Sequence, residues 1–293
     1  MLGLLAGALC IGFAPVLVKL IELGPTQIAV FRTGLSAVIL LPWLLRYTLK
    51  ARKQGISIFE LRVIGWLGLA ALAFAADLYC WHRTVVYLGA GLGTILANTQ
   101  SLYLSIFGAL FFREKLSGIF LFALLLAAAG IYGLVGEIPT WVSPENYAPG
   151  LLYGILTGLF YSVFILSLRQ AEKIKLGWKT LEKLALVCAL TTLLLIPVSI
   201  STGEWALPQG VSWLWVILLA LGPQILGWYL ISSNLPKLEV SRSGLILLAQ
   251  PLFATILGAL IFQENLSPIQ FIGAGATLIA IWLSQVKKSK KLR

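Results

Sequence analysis

Long apolar stretches separated by short polar loops make up almost the whole chain. A membrane-spanning helix needs about 20 apolar residues, and ten stretches reach roughly that length. The loops between them leave no room for a separate soluble domain. We therefore expect an all-α integral membrane protein with ten transmembrane helices. The ten predicted spans are residues 2–21, 26–45, 61–81, 89–111, 117–136, 150–169, 182–200, 212–232, 243–263 and 269–286.

One ten-residue segment occurs twice in the chain. Residues 108–117 read Gly-Ala-Leu-Phe-Phe-Arg-Glu-Lys-Leu-Ser, and residues 258–267 read Gly-Ala-Leu-Ile-Phe-Gln-Glu-Asn-Leu-Ser. Other positions recur at a similar offset, among them Gly7 as Gly154 and Trp66 as Trp213. Self-similarity at a fixed offset indicates duplication of a structural unit. We therefore predict that spans 1–5 and spans 6–10 are copies of one five-helix unit.

The duplication predicts the domain boundaries. The first repeat covers residues 1–136, an external linker covers 137–149, and the second repeat covers 150–286. A basic tail at 287–293 follows on the cytoplasmic side.

The basic residues predict the orientation of the spans. If the N-terminus is cytoplasmic, 19 of the 22 Lys and Arg residues fall in cytoplasmic loops or in the tail. Because basic residues concentrate on the cytoplasmic side, we expect a multi-pass protein of the cytoplasmic (inner) membrane with both termini in the cytoplasm. Five spans per repeat is an odd number, so the second repeat enters the membrane from the opposite face. The fold is then an inverted-topology repeat.

Composition narrows the classes of partner. The chain is 59% hydrophobic and 11% charged, with a net charge of +11, whereas about a quarter of the residues of a soluble domain are charged. The basic residues lie in loops beside apolar spans, so we expect the chain to contact the lipid bilayer and to bind no nucleic acid. Three dispersed cysteines and a single histidine give no metal-ligand spacing, and we expect neither a metal nor a cofactor.

Asp77 and its repeat counterpart Gln224 predict a central cavity. Asp77 is the only aspartate of the chain and lies in span 3. An ionisable group that faces lipid is costly, so we expect it to face the bundle interior. Trp81 and Trp228 follow Asp77 and Gln224 by four residues, which places each pair on one helix face. The two polar and aromatic faces are expected to meet at the interface of the repeats.

Two basic residues within the spans leave a second interpretation open. Asp77 would only fix the packing if it paired with Arg32 or Lys19. Both basic side chains could also attract an anionic substrate, although snorkelling of their charged ends to the membrane surface is the simpler interpretation.

Further residues in the spans are candidates for substrate binding or coupling. The amides could bind substrate or bridge helices, the tyrosines could line the cavity, and the histidine could titrate beside Asp77 or lie in an interfacial aromatic belt. Pro251 is expected to kink span 9 and act as a hinge. Glu114 and Glu264 are expected to cap the N-terminus of the helix that follows each of them or to balance its charge. The remaining candidates are Tyr79, His82, Asn98, Gln100, Tyr161 and Gln250.

These features resemble the drug/metabolite transporter superfamily, in particular its ten-helix EamA-type members. The resemblance covers nearly the whole chain. It rests on the duplicated Gly-Ala-Leu-x-Phe-x-Glu-x-Leu-Ser segment, on the last helix of each repeat with its small residues, and on Gln250–Pro251. It implies export or import of small metabolites by alternating access.

The expected function is therefore a secondary transporter for small metabolites such as amino-acid-like solutes, with protons as the candidate coupling ion. An intramembrane enzyme and a channel-like facilitator are the alternatives. We expect no enzymatic activity, because the metalloprotease and serine-hydrolase motifs and a second aspartate are missing. Channels usually assemble identical subunits around a filter, whereas an inverted repeat within one chain is typical of alternating access, so the channel is the weaker alternative. The substrate, its direction of movement and the choice between monomer and homodimer stay open.

Overall fold

The computed structural model describes residues 2–53, 61–135, 143–174, 177–262 and 267–284. Within these ranges the regular structure is helical, and no β-strand occurs. In chain order the helices are α1 (Leu2–Gly12), α2 (Ala14–Lys19), α3 (Pro25–Lys53), α4 (Leu61–Ala97), α5 (Gln100–Phe112), α6 (Gly118–Val135), α7 (Pro144–Lys173), α8 (Thr180–Ser201), α9 (Ser212–Leu219), a π-helix (Ala220–Gly227), α10 (Trp228–Ser232), a 3₁₀ turn (Leu235–Lys237), α11 (Val240–Leu247), α12 (Ala249–Phe262) and α13 (Pro268–Ser284).

Seven helical segments of the described chain are long and apolar enough to cross a membrane. Two shorter apolar helices, Gln100–Phe112 and Gly118–Gly130, accompany them. The expected all-helical membrane class is therefore confirmed, whereas the count of ten spans stays a prediction. The seven segments are Leu2–Lys19, Pro25–Lys53, Leu61–Gly89, Pro144–Lys173, Thr180–Ser201, Ser212–Lys237 and Val240–Gly258.

The helices are interrupted near prolines, near the repeated amides and inside α4 at Gly89, where φ is 86° and the backbone leaves the helical conformation. α1 and α2 are separated at Phe13, and the turn at Asn98 and Thr99 separates α4 from α5. α11 and α12 are separated at Leu248, three residues before Pro251. Proline has no backbone N–H, so the carbonyl four residues earlier loses its helical donor. The expected interruption of span 9 is thus present, and the hinge role of Pro251 stays a prediction.

Glycines allow two helix pairs to pack very closely. Gly150, Gly154 and Gly158 recur every fourth residue on α7, and α7 makes its most extensive contact with α4. A Cβ atom at Gly154 would lie 2.6 Å from the Leu96 side chain. At the corresponding position of the other repeat, a Cβ at Gly7 of α1 would lie 2.9 Å from the Gly227 carbonyl oxygen. Small residues at four-residue spacing let helix backbones approach within the membrane.

Three further pairs of helices pack along each other. α3 packs along α8, α6 packs along α13, and α5 packs along α11. The core between the pairs is aromatic, since the rings of Phe74 and Phe164 stack at a centroid distance of 4.2 Å and the Trp228 ring lies 4.6 Å from Phe164.

One end of the bundle is held by an ion pair. The Arg83 guanidinium contacts the Glu204 carboxylate at 2.5 Å, and the Arg83 Nη1 atom donates to the Thr26 hydroxyl at 2.9 Å. The second carboxylate oxygen of Glu204 accepts the Thr26 backbone N–H at 2.6 Å. The pair thereby ties α4, the start of α3 and the segment after α8 together.

At another place in the bundle, Glu114 caps a helix that is distant in sequence. Its carboxylate accepts the backbone N–H groups of Val240 and Ser241 at 2.7 and 3.1 Å, so it caps α11. The expectation that Glu114 caps the helix directly after it was wrong. That helix, α6, is capped by Ser117, whose hydroxyl accepts the Phe120 N–H at 3.2 Å. Glu264 lies outside the described residues.

Replacing Gly7 by alanine tests the close packing of α1. The new Cβ would also lie 3.0 Å from the Ile231 backbone nitrogen. Because backbone atoms cannot rotate away, we expect overpacking to cost about 1–3 kcal/mol and to lower the melting temperature of the purified protein.

Gly68→Ala is the matched control, because a Cβ at Gly68 of α4 meets no atom within 4 Å. Its melting temperature should stay at the wild-type value or rise. Equal melting temperatures for the Gly7 and Gly68 variants would contradict the close approach of α1 to the π-helix.

Candidate functional site

A cavity of about 50 Å³ lies inside the helix bundle and is lined by both halves of the sequence. Positions 74, 77, 78 and 81 of α4 line it, a spacing that places the four side chains on one helix face. The volume admits a few water molecules, far less than the roughly 300–1,000 Å³ of sites for organic ligands. Six predicted site residues line the cavity: Asp77, Trp81, Asn98, Tyr161, Trp228 and Gln250.

Arg32 of α3 brings a buried positive charge to the cavity. The residue is 3% exposed, and its Nε atom donates to the Gln224 Oε1 atom of the π-helix at 3.0 Å. The centre of its guanidinium lies 5.9 Å from the centroid of the Trp81 ring, within the range of a cation–π interaction. The expectation that Arg32 snorkels to the membrane surface was therefore wrong.

Asp77 lines the same cavity and is 5% exposed. Among the residues that the structure describes, its carboxylate makes no hydrogen bond and no ion pair. Lys19 is exposed at the end of α2. The Asp77 carboxylate therefore borders the cavity itself, so a bound cation could contact it.

Aromatic rings and amides complete the lining. The Tyr161 hydroxyl of α7 and the Gln250 amide of α12 are joined by a hydrogen bond, with Nε2 donating at 3.0 Å. The Tyr161 ring lies 5.7 Å from the Trp228 ring. Asn98 lines the cavity at the turn between α4 and α5. The two helix interruptions that precede Gln100 and Gln250 thus place polar groups beside the cavity.

Tyr79 and His82 do not line the cavity, although they neighbour residues that do. The Arg83 guanidinium lies 3.7 Å from the centroid of the Tyr79 ring. The His82 Nδ1 atom lies 2.7 Å from the Leu78 carbonyl oxygen, and its ring packs against Trp81.

Gln100 and Gln224 also lie behind the lining, and Pro251 is buried in α12 directly after Gln250. Gln100 is within 3.5 Å of the Gly244 carbonyl oxygen of α11. Gln224 reaches the cavity only through Arg32. The roles of all these residues stay predictions.

Sequence reasoning missed the central position of Arg32 and of Phe74. Both line the cavity. The sequence did carry a signal for Arg32, because it is a single arginine within an apolar span. The free-energy cost of a charged side chain that faces lipid predicts that such a residue faces the bundle interior. The phenylalanine carried no signal that separates it from the many other apolar residues.

Comparison with known proteins relates the chain to transporters. The model of the EamA-like transporter family matches residues 1–136 and 148–285. An uncharacterized transporter of Archaeoglobus fulgidus is 30% identical over 149 residues, which are 50% of this chain and 52% of that protein. The uncharacterized transporter YetK of Bacillus subtilis is 24% identical, over 67% of this chain and 60% of its own.

A plant relative matches a larger part of the chain. The WAT1-related chloroplastic protein of Arabidopsis thaliana is 24% identical over 89% of this chain and 62% of its own length. The chain thus spans 52–62% of the length of these three relatives. A protein of known crystal structure superimposes with a TM-score of 0.73 over 97% of this chain and 98% of its own, at 17% identity. That likeness shows a shared fold.

The geometry predicts that substitutions of Asp77 and of Gln224 differ in their effect on the melting temperature. Asp77→Asn should keep the melting temperature, because no described group depends on the carboxylate. Gln224→Leu should lower it, because the Arg32 Nε atom then loses its acceptor inside the bundle, at a cost of about 1–3 kcal/mol. Thermal unfolding of the two purified variants measures the difference. A lower melting temperature for Asp77→Asn than for Gln224→Leu would show that Asp77, not Gln224, compensates the arginine.

Proposed function

Since the chain belongs to the EamA-like transporter family, we propose that it is a secondary transporter that moves small organic solutes by alternating access to the central cavity. The observation that carries the proposal is the pair of opposite charges, Arg32 and Asp77, in one cavity inside an apolar bundle. Ionisable groups at such a depth are costly and mark substrate or ion pathways.

The chemistry of the lining favours a zwitterionic solute of amino-acid type. The Arg32 guanidinium suits a carboxylate because it donates in a planar fork, and the Asp77 carboxylate suits an ammonium group. The Trp81 and Trp228 rings supply an apolar wall, and the Gln250 amide supplies a further polar contact. One charge of each sign suits a zwitterion better than a simple anion or cation.

The proposed architecture is ten transmembrane helices in two inverted five-helix repeats, residues 1–136 and 150–286, with both termini cytoplasmic in the cytoplasmic membrane. The helix pairing supports it. α3 with α8 and α6 with α13 each join corresponding helices of the two repeats. α5 with α11 maps onto α12 with the end of α4, and both of these pairs are in contact. Under the same correspondence α4 matches the π-helix and α7 matches α1, so the contact of α4 with α7 is the counterpart of the contact of the π-helix with α1. A pseudo-twofold axis in the membrane plane produces this pattern.

Alternating access requires that the cavity opens to one side of the membrane at a time. The interruptions at Phe13, Asn98–Thr99 and Leu248 supply points at which half-helices can tilt. We assign Pro251 the role of hinge for α12. Asp77 is the proposed coupling group, which would take up a proton on one side of the membrane and release it on the other.

Purified protein reconstituted into proteoliposomes tests the function. Uptake of radiolabelled amino acids should saturate and compete, and a pH gradient should drive accumulation. Linear, non-competable flux would support a channel-like facilitator and contradict alternating access. Hydrolysis of a peptide or lipid without flux would support an intramembrane enzyme.

Substitution of the charge pair predicts two distinct losses. Asp77→Asn should still exchange substrate across the membrane but lose accumulation driven by a pH gradient, because the asparagine cannot titrate. Arg32→Gln should weaken substrate binding by about 10–100-fold, because a hydrogen bond between charged groups is lost. Counterflow and gradient-driven uptake are measured on the same vesicles.

Exposed residues of the same type provide the controls. Glu145→Gln on α7 and Arg52→Gln on α3 remove exposed charges and should keep wild-type exchange and accumulation. Wild-type gradient-driven uptake by Asp77→Asn would exclude the coupling role while leaving the substrate site in place. Wild-type affinity of Arg32→Gln would exclude carboxylate recognition.

A further inference from the structure

A second pocket, of about 540 Å³, opens on the flank of the bundle away from the central cavity. The end of α7, the start of α8, Trp43 of α3 and Tyr229 of α10 line it. None of its lining residues borders the central cavity. Its volume lies in the range of sites for organic ligands, about 300–1,000 Å³.

The charges of the described lining residues are balanced in this flank pocket. Two residues of each sign contribute: Glu172, Glu182, Lys179 and Lys183. The Lys183 Nζ atom lies 3.1 Å from the Glu172 Oε2 atom and donates to the Ala171 carbonyl oxygen at 2.8 Å. The Glu182 carboxylate accepts the Lys179 backbone N–H. A pocket with this balance suits a group that itself carries both charges.

One acceptor of the lining lacks a donor. The Glu172 side chain is 9% exposed, and its Oε1 atom has no hydrogen-bond partner within the described part of the chain. The Thr180 hydroxyl lies near the same carboxylate but does not meet the geometry of a hydrogen bond to Oε1. A buried carboxylate oxygen without a donor is costly, so a ligand that brings an N–H group is favoured.

Aromatic residues mark the rim of the pocket as a membrane interface. Trp43 and Tyr229 line it and are 42% and 40% exposed, and such side chains concentrate at the level of lipid headgroups. Leu226, one turn before Tyr229, is 51% exposed and continues the apolar surface. An aromatic rim also attracts an ammonium group through cation–π interactions. The site therefore offers contacts for a charged headgroup and for its hydrocarbon chains.

We propose that the flank pocket binds the headgroup of a zwitterionic phospholipid with a primary ammonium, such as phosphatidylethanolamine. A rotation of the Glu172 side chain turns its Oε1 atom, which is buried in this structure, towards the ammonium, and the ammonium donates to it beside the aromatic rim. The exposed Lys179 side chain neutralises the phosphate. Phosphatidylcholine fits less well because its quaternary ammonium has no N–H to donate.

Native mass spectrometry of the purified full chain tests the proposal. Delipidated protein in detergent is titrated with phosphatidylethanolamine, phosphatidylcholine or phosphatidylglycerol, and the bound lipid is counted. Phosphatidylethanolamine should bind at least about tenfold more tightly than the other two, because a hydrogen bond to a buried carboxylate is gained. Equal binding of the three lipids would overturn the proposal. Displacement of the lipid by water-soluble glycerophosphoethanolamine at a similar concentration would overturn the lipid assignment in favour of a soluble solute.

Two variants locate the binding. Glu172→Gln keeps the shape and an acceptor for Lys183 but removes the negative charge, so the preference for phosphatidylethanolamine should vanish. Trp43→Ala should weaken its binding several-fold. The control is Trp66→Ala, because Trp66 of α4 is 36% exposed and lies outside the pocket. If Glu172→Gln does not fold, the tryptophans decide, since equal binding by the Trp43 and Trp66 variants would overturn the site.

Discussion

The hydrogen bond from the Arg32 guanidinium to the Gln224 amide fixes a positive charge inside an apolar bundle. Moving an ion out of water costs several kcal/mol unless other groups compensate it. Here the compensation comes from the Gln224 oxygen and the face of the Trp81 ring. The π-helix carries Gln224, and stretches of π-helix are frequent at functional sites. The geometry of the cavity thus depends on a backbone irregularity and on an arginine that act together.

The repeats have related sequences but differ in backbone around the cavity. Gly7 and Gly154 occupy corresponding positions, yet the helix of Gly7 is interrupted at Phe13 while α7 runs without a break through Phe160. Likewise, Asp77 lies in regular α-helix and its counterpart Gln224 lies in the π-helix. One sequence pattern therefore occurs here in a bent and in a straight form. In the proposed inverted-repeat architecture, exchange of the two forms between the repeats would open the cavity on the other side.

Much of this organisation follows from the sequence. Apolar length predicted the membrane class, the duplicated segment indicated the family, and the four-residue spacing of Asp77 and Trp81 placed both on the cavity. The depth of a side chain within the bundle and its direction around the helix axis were harder to predict. Tyr79 is two residues from Asp77, which is about 200° around an α-helix, so it points away from the cavity. Glu114 caps α11 because the fold brings the start of that helix to it, and no local pattern encodes a contact over that distance. The position of Arg32 was predicted wrongly because the residue lies near the end of its span, where an arginine side chain can reach the membrane surface. Only the packing of α3 against the π-helix places its guanidinium inside the bundle.

Accessibility of the cavity from both sides of the membrane tests the account most directly. Ala97 lines the cavity and is 5% exposed, so Ala97→Cys places a thiol there once Cys10, Cys80 and Cys188 are replaced by serine. A membrane-impermeant maleimide is applied to right-side-out and to inside-out vesicles. The account predicts labelling from both sides, and saturating substrate should slow both reactions. Labelling from one side only, or labelling that substrate does not slow, would contradict an alternating cavity built on Arg32 and Asp77.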